Sequence, residues 1–389
     1  MPKYTLIGDR KIQRDRTFPV KNASMLVLFV IGVVVGVSFA LMYTQYQTIE
    51  VDRSHQNHFD HSETFDDIIP INETKHTHAI AKDVHALEND TIATNLYKKI
   101  RILCWILTTP ANHRTRAIHV KRTWGKRCNK LLFMSTKYDA SLDSIALNVS
   151  VDNTNVLWGK TKRAFQYINE HHQNDADWFL KADDDTYVIL ENLRYFLYAY
   201  STNDPIYFGY KMNRANELKH GYFSGGAGYV LSKNALQKFG NLMETKEPSV
   251  DCNLSTDYGA EDFELSKCME ALNVVAGDTR DELKRGRFFL NTPESHLIPN
   301  KIDMSYWYWQ YMWYRSDEGL DCCSDNAISF HYIRPEQFYV FDYLLYHLRP
   351  YGVVAYPQPL PKKVNFTEIS ILLDKEKPEG APAPDSIPN

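Results

Sequence analysis

An uncharged apolar run over residues 24–43 (SMLVLFVIGVVVGVSFALMY) constrains this chain more than any other feature. It has the length of a helix that crosses a bilayer. Lys3, Arg10, Lys11, Arg14, Arg16 and Lys21 precede it, offset by Asp9 and Asp15, while Glu50 and Asp52 follow. The positive-inside rule therefore assigns residues 1–23 to the cytosol and everything after Tyr43 to the lumenal side, as a type II membrane protein. A cleaved signal peptide is the alternative. Against it, the run is longer than the apolar core of such peptides and lacks a small-x-small cleavage site.

Beyond this span, residues 44–96 are polar, rich in His and without sustained periodicity, so they read as a flexible stem. Residues 97–360 read as one large domain. Residues 361–389 read as a largely disordered tail, Pro-rich and charged from Asp374 onward. Sequons at Asn72, Asn89, Asn148, Asn253 and Asn365 are opportunities for glycosylation. All six cysteines follow the span, where an oxidising lumen permits disulfides. Six cysteines allow about fifteen pairings. Proximity favours Cys104–Cys128 and Cys252–Cys268, leaving Cys322–Cys323 as a vicinal pair, with free buried thiols as the alternative.

A net charge of −4 gives no basic field, which removes support for a nucleic-acid role. Aromatic residues reach 13%, enough to serve a carbohydrate site, where rings stack on sugar C–H faces, although a packed core uses aromatics equally. Apolar strand candidates at residues 102–108, 131–135 and 177–182 alternate with helical spacing through Ala117, Val120 and Trp124, then Trp158, Phe165 and Ile168, then Leu193, Leu197 and Tyr200. That alternation predicts an α/β fold with a mostly parallel sheet. Ligands in such sheets sit beyond the carboxyl ends of strands, which singles out Thr108, Thr109, Asp183, Asp184 and Asp185.

The three aspartates follow the strand candidate Trp178-Phe179-Leu180 directly. Acidic groups crowded at a strand end repel unless a cation joins them, and a hard divalent ion bound to diphosphate oxygens does so. A solvated turn that caps a helix is the plainer alternative. His331, in an apolar stretch, reads on spacing alone as a core residue more readily than a ligand. Glu261 and Asp262 open a helix with Leu265, Met269 and Leu272 on one face; they serve either as dipole-stabilised capping carboxylates or as a base beside an acceptor hydroxyl. Gly225, Gly226 and Gly228 make an aromatic-flanked bend suited to close approach of a ligand. The aromatics of residues 306–314 (YWYWQYMWY) are too dense to face one core; an acceptor platform is expected there, with a dimer surface or core packing as the alternative. Residues 335–348 read as an amphipathic helix with Phe338, Phe341, Leu345 and Leu348 on one face, packed on the domain or on a partner subunit.

Taken in order, Arg116-Ala117, Arg122-Thr123-Trp124, the aspartate triplet, Tyr207-Phe208-Gly209, Gly225-Gly226, Glu261-Asp262 and Phe330-His331 resemble the β1,3-glycosyltransferase family of inverting GT-A enzymes. The segments GAEDFELSKCME, WYWQYMWY and GLDCCSDNAISFHYI are similar to its core 1 galactosyltransferase branch. The resemblance implies a single Golgi lumenal GT-A domain, UDP-galactose as donor, GalNAc α-linked to Ser or Thr as acceptor, Mn²⁺ and a homodimer. It implies Asp185 and His331 as metal ligands with Asp183 beside them, and Asp262 as general base. Thr109, Arg116, Asp183, Asp184 and Gly226 are expected near the donor, Asp183 on its ribose or in the metal shell, and Tyr222, Trp307 and Glu261 near the acceptor. In the family the Glu-Asp pair is often followed by Val and, three residues on, Gly; here Phe263-Glu264-Leu265-Ser266 follows, so different packing behind the base is expected. The alternatives are an inactive chaperone-like relative, a β1,3-transferase with another sugar pair, and a lectin-like receptor. The intact triplet argues against the chaperone.

Overall fold

The computed structural model describes residues 89–149, 154–214, 217–245, 252–303, 305–353 and 356–379. The expected span at 24–43, Asn72 and nearly all of the stem lie outside them. Among the described residues no helix is long and apolar enough to cross a membrane.

A seven-stranded sheet organises the domain. Its strands are β1 (Ile102–Leu107), β2 (Lys130–Ser135), β3 (Ile145–Ala146), β4 (Trp178–Asp183), β6 (Ile206–Gly209), β9 (Tyr229–Ser232) and β10 (Val275–Ala276), in the order β10-β6-β9-β4-β1-β2-β3. β4, β1, β2 and β3 run parallel to their neighbours, as do β6 and β10, whereas β9 is antiparallel to both β4 and β6. The parallel expectation thus holds except for this one reversed strand. β1 (ILCWIL) is buried throughout, which is why it reads as a continuous apolar run rather than an alternation. Its successive side chains feed two cores. Ile102, Cys104 and Ile106 join Val120, Trp124, Leu193 and Phe338 on one face; Leu103, Trp105 and Leu107 join Trp158, Phe165, Phe239 and Met269 on the other.

The helices follow the apolar spacing: α1 (Thr91–Lys99), α2 (Ile118–Arg122), α3 (Leu157–His172), α4 (Leu190–Leu197), α5 (Lys233–Thr245), α6 (Glu261–Ala271), α7 (Pro293–Leu297), α8 (Tyr308–Tyr311), α9 (Pro335–Tyr346) and α10 (Phe366–Asp374). Two boundaries differ from expectation. Helix α1 begins inside the expected stem, because Leu96 and Ile100 are buried and the Arg194 guanidinium stacks 4.7 Å over Tyr97. The expected disordered tail is ordered through residue 379, where α10 docks Leu373 and Glu376 pairs with the buried Lys211 at 3.1 Å. Helix α9 forms with Pro335 at its first position and Phe338 buried. Leu345 and Leu348 of the expected face remain exposed.

Two small sheets complete the fold. β5 (Tyr187–Val188), β11 (Phe288–Phe289) and β12 (Ser329–Phe330) pair in the order β11-β12-β5, and β7 (Lys211–Met212) pairs antiparallel with β8 (Tyr222–Phe223). The disulfides are Cys104–Cys128, Cys252–Cys268 and Cys322–Cys323. The first two close separations of 24 and 16 residues, each worth about 3 kcal/mol through loss of unfolded-chain freedom. Asn89, Asn148, Asn253 and Asn365 are exposed.

Candidate active site

Asp183 ends β4 at the carboxyl edge of the sheet, and Asp185 lies between β4 and β5. β12 pairs antiparallel with β5, Phe330 opposite Tyr187, and this register delivers His331 to the triplet. The Ile333 N–H donates to the Asp185 carbonyl at 2.9 Å and fixes the approach. Asp183, Asp185 and His331 each offer an atom, all within 4.8 Å of one another. His331 Nε2 stands 3.1 Å from Asp185 Oδ1 and 4.0 Å from Asp183 Oδ2. Two carboxylates and an imidazole suit a divalent first-row cation. The opposite ring nitrogen, Nδ1, is buried without a hydrogen-bond partner.

Gly226 explains how the ring fits, because a Cβ there would lie 2.3 Å from His331 Cε1. The bend is fixed from outside: Thr186 Oγ1 donates to the Gly226 carbonyl at 2.7 Å and Ser329 Oγ to that of Ala227 at 2.6 Å.

Arg116 approaches from the π-helical turn His113–Ala117, a rare element that often marks functional positions. Its Nη1 donates to Asp185 Oδ2 at 2.8 Å and stands 3.8 Å from Asp184. Burial raises Asp185's pKa, but His331 and Arg116 outweigh it and hold the group below the usual carboxylate value. Thr109, half-buried, leads from β1 into the turn that carries Arg116. Asp184, expected near the donor, faces inward instead. It is 5% exposed, accepts from Thr108 Oγ1 at 2.7 Å, and burial pushes its pKa up to about 6.

Lys181 links this cluster to the second one, a connection the sequence reading missed. It lies two residues before Asp183, hence on the same strand face, and that period-two spacing was the available signal. Its buried ammonium donates to Asp183 Oδ1 at 2.6 Å and to the Gly225 carbonyl at 3.0 Å. Burial pulls its pKa down, yet Asp183 and Glu261 more than offset this and hold it above the ordinary lysine value. Glu261, expected at the acceptor, is buried, 3.7 Å from Lys181 and accepting from Tyr229 OH at 2.5 Å. It braces the bend, since its carboxylate has no open face to a ligand.

Asp262 is the half-buried carboxylate of the pair. Oδ2 accepts the Gly225 N–H at 3.1 Å and Oδ1 the Phe263 N–H at 2.9 Å. Burial raises its pKa, opposed by the Gly225 N–H and Lys181, which makes it a better proton acceptor than a solvated aspartate. Behind it Phe263 packs edge-on to Tyr222 at 5.6 Å and under Arg214 at 4.7 Å.

Of the dense aromatic segment, Tyr308, Trp309 and Trp313 are core, whereas Trp307 is 38% exposed. Tyr306 is close enough to raise the pKa of Tyr332, whose ring stacks on His331 at 3.9 Å, and Tyr311 contributes likewise to Tyr222. In each tyrosine burial is the larger cause. Metal-type ligands, a raised-pKa carboxylate and exposed aromatics thus share one edge of the sheet.

A family model described as Fringe-like matches residues 98–283. The chain is 43% identical over 293 residues to the glycoprotein-N-acetylgalactosamine 3-beta-galactosyltransferase 1 of Xenopus laevis, covering 75% of this chain and 79% of that protein. It is 25% identical over 181 residues to a beta-1,3-glucosyltransferase of Mus musculus, 46% of this chain and 35% of that one. It is also 30% identical over 150 residues to the chondroitin sulfate glucuronyltransferase of Homo sapiens, 37% of this chain and 19% of that one. With identity of this level over most of both chains, on a mixed α/β sheet whose edge carries this acidic cluster, the protein belongs to the glycoprotein-N-acetylgalactosamine 3-beta-galactosyltransferase family of glycosyltransferases.

Proposed function

We propose that the chain transfers galactose from UDP-galactose to O3 of GalNAc α-linked to Ser or Thr, forming Galβ1-3GalNAc with inversion. The observation that carries this reading is the meeting of the Asp183, Asp185 and His331 group with the bend that hydrogen-bonds Asp262.

Asp183, Asp185 and His331 would hold Mn²⁺, whose charge stabilises the departing diphosphate. Arg116, already directed at this cluster, supplies a further cation beside the phosphates. Asp262 takes the proton from the acceptor O3 hydroxyl. That oxygen forms a bond to the anomeric carbon from the face opposite the leaving group, the bond to the UDP oxygen breaks, and the α-linked donor becomes a β product. Trp307 and Tyr222 serve as faces for the acceptor sugar: Trp307 is 38% exposed, and the half-buried Tyr222 packs edge-on to Phe263 beside Asp262. The same reading makes residues 24–43 a Golgi membrane anchor with a lumenal catalytic domain. It also includes a homodimer, for which the exposed Val340, Tyr343 and Leu344 of α9 offer a surface.

The purified protein is tested with Mn²⁺, a GalNAc-α-Ser/Thr peptide and a panel of UDP-sugars, weighing the products. A one-hexose gain with UDP-galactose alone, lost on chelation and removed by a β1,3-galactosidase, is the expected result. A gain from another donor replaces the sugar assignment, and no gain from folded protein overturns catalysis in favour of a chaperone-like role.

A further inference from the structure

We propose that the segment following α10 is a strap that holds the acceptor wall in register, with Glu376 as its positioning residue. This rests on the assignment of Tyr222 and Trp307 to the acceptor.

The wall is built around β7. On one side β7 pairs with β8, Met212 opposite Tyr222. On the other it meets the aromatic segment: Met212 bridges Met312, the Asn213 N–H donates to the Tyr311 carbonyl at 2.7 Å, and the Trp313 N–H to the Lys211 carbonyl at 3.3 Å. Tyr222 and the aromatic segment therefore take their relative positions from two residues of β7. One of these, Lys211, turns a 3% exposed ammonium inward, 4.5 Å over Trp313.

The carboxylate that meets this ammonium comes from far along the chain. Glu376 Oε2 lies 3.1 Å from Lys211 Nζ and accepts from Tyr314 OH at 2.8 Å. Neighbouring residues tie down the rest of the wall. Asp374 pairs with Lys219 and, at 3.6 Å, with His220, just before β8. The Glu379 N–H donates to the Trp313 carbonyl at 2.8 Å, and its carboxylate accepts the Arg315 N–H at 2.8 Å. Arg280 closes the far side at 3.1 Å from Glu379. The strap thus binds the entry to β8, β7 itself and the end of the aromatic segment. Among the described residues, the hydrogen bonds and ion pairs of the strap go to this wall rather than to the metal-type ligands or Asp262. Without Glu376 the buried ammonium would lose the carboxylate paired with it, leaving only the more distant Asp278, and a movement of β7 that relieves this carries both faces of the acceptor wall with it.

The test compares the full-length protein with Glu376→Ala, Glu376→Asp and Trp307→Ala. The readouts are KM for the acceptor glycopeptide, Kd for UDP with Mn²⁺, and melting temperature. A displacement of the wall predicts an acceptor KM raised about tenfold in Glu376→Ala, with UDP affinity within about twofold and partial recovery in Glu376→Asp. An unchanged acceptor KM overturns the proposal, as does a parallel loss of UDP affinity. If Glu376→Ala does not fold, Tyr314→Phe, which removes only the hydroxyl given to Glu376, takes its place; an acceptor KM equal to the parent's then refutes the strap. Trp307→Ala separates the two levels. Should it leave acceptor KM unchanged, the acceptor assignment falls and the strap proposal with it; should it alone raise KM, only the strap proposal falls.

Discussion

Replacing Gly226 with Ala offers the sharpest probe of the metal-type cluster, because the structure gives the displacement directly. The new Cβ would stand 2.3 Å from His331 Cε1 and 2.5 Å from Nδ1, about 1.1 Å inside the 3.4 Å of an ordinary contact. The bend cannot retreat, since hydroxyls of Thr186 and Ser329 hold the Gly226 and Ala227 carbonyls. The ring must therefore move by about an ångström, losing the 3.1 Å relation of Nε2 to Asp185. No positive φ is involved at this glycine, so the effect is steric and local. Misplacing one ligand by this much is expected to cost about 10- to 100-fold in metal affinity, or ~1.4–2.7 kcal/mol. Turnover should fall about 100-fold, as a misplacement of about 1 Å commonly costs. Free Mn²⁺ measured by electron paramagnetic resonance during titration gives the affinity without relying on activity. A variant that melts like the parent and binds Mn²⁺ within about twofold of it would show that His331 is not a ligand.

Asp262→Asn keeps the shape and an oxygen for the Gly225 N–H but cannot take a proton; turnover should fall about 10²–10⁴-fold with UDP binding unchanged by calorimetry. Retained turnover would remove Asp262 as the base. Asp185→Asn should weaken Mn²⁺ and UDP binding together, and unchanged affinity for both would move the cation elsewhere. Acid should weaken the fold through His296, which is 3% exposed and packed 4.8 Å from Phe289. Burial lowers its pKa from 6.5 to about 4, so between those values the unfolded chain binds the extra proton. Stability is then whole above pH 6.5 and declines by about 3 kcal/mol as pH falls toward 4. Urea melts of the parent and of His296→Phe at pH 7 and 4.5 check this, and identical pH slopes would contradict it.

Much of the architecture was legible because it rests on local pattern. β1 reads as a strand from its unbroken apolar run, β4 from Trp178-Phe179-Leu180, and α3 from the spacing of Trp158, Phe165 and Ile168. The reversal of β9 was not legible, since a four-residue apolar strand looks the same in either direction. The site divides similarly. The aspartate triplet announced itself by crowding charge at a strand end, but Asp184's inward turn depends on Thr108, 76 residues away. Glu261 and Asp262 are adjacent and alike in type. Only Lys181 and Tyr229, brought under the bend by β4 and β9, decide which of them is sealed and which is left open. The tail misled for a related reason: its Pro and charge content resembles disorder, while the partner of Glu376 is a lysine 165 residues earlier.

The reversal of β9 also bears on how freely the active-site loops can change. A strand that leaves the edge where its antiparallel neighbour arrives puts the chain after β4 and the chain before β9 at the same end of the sheet, with Lys181 opposite Tyr229. Were β9 parallel, the glycine bend would emerge about 13 Å away, at the far end of the four-residue strand. Aspartates and bend are thus joined by hydrogen-bond register rather than by loop length. The connection between β4 and β9 can lengthen or shorten at its outer turn, around residues 200–204, and still return the bend to the same aspartates.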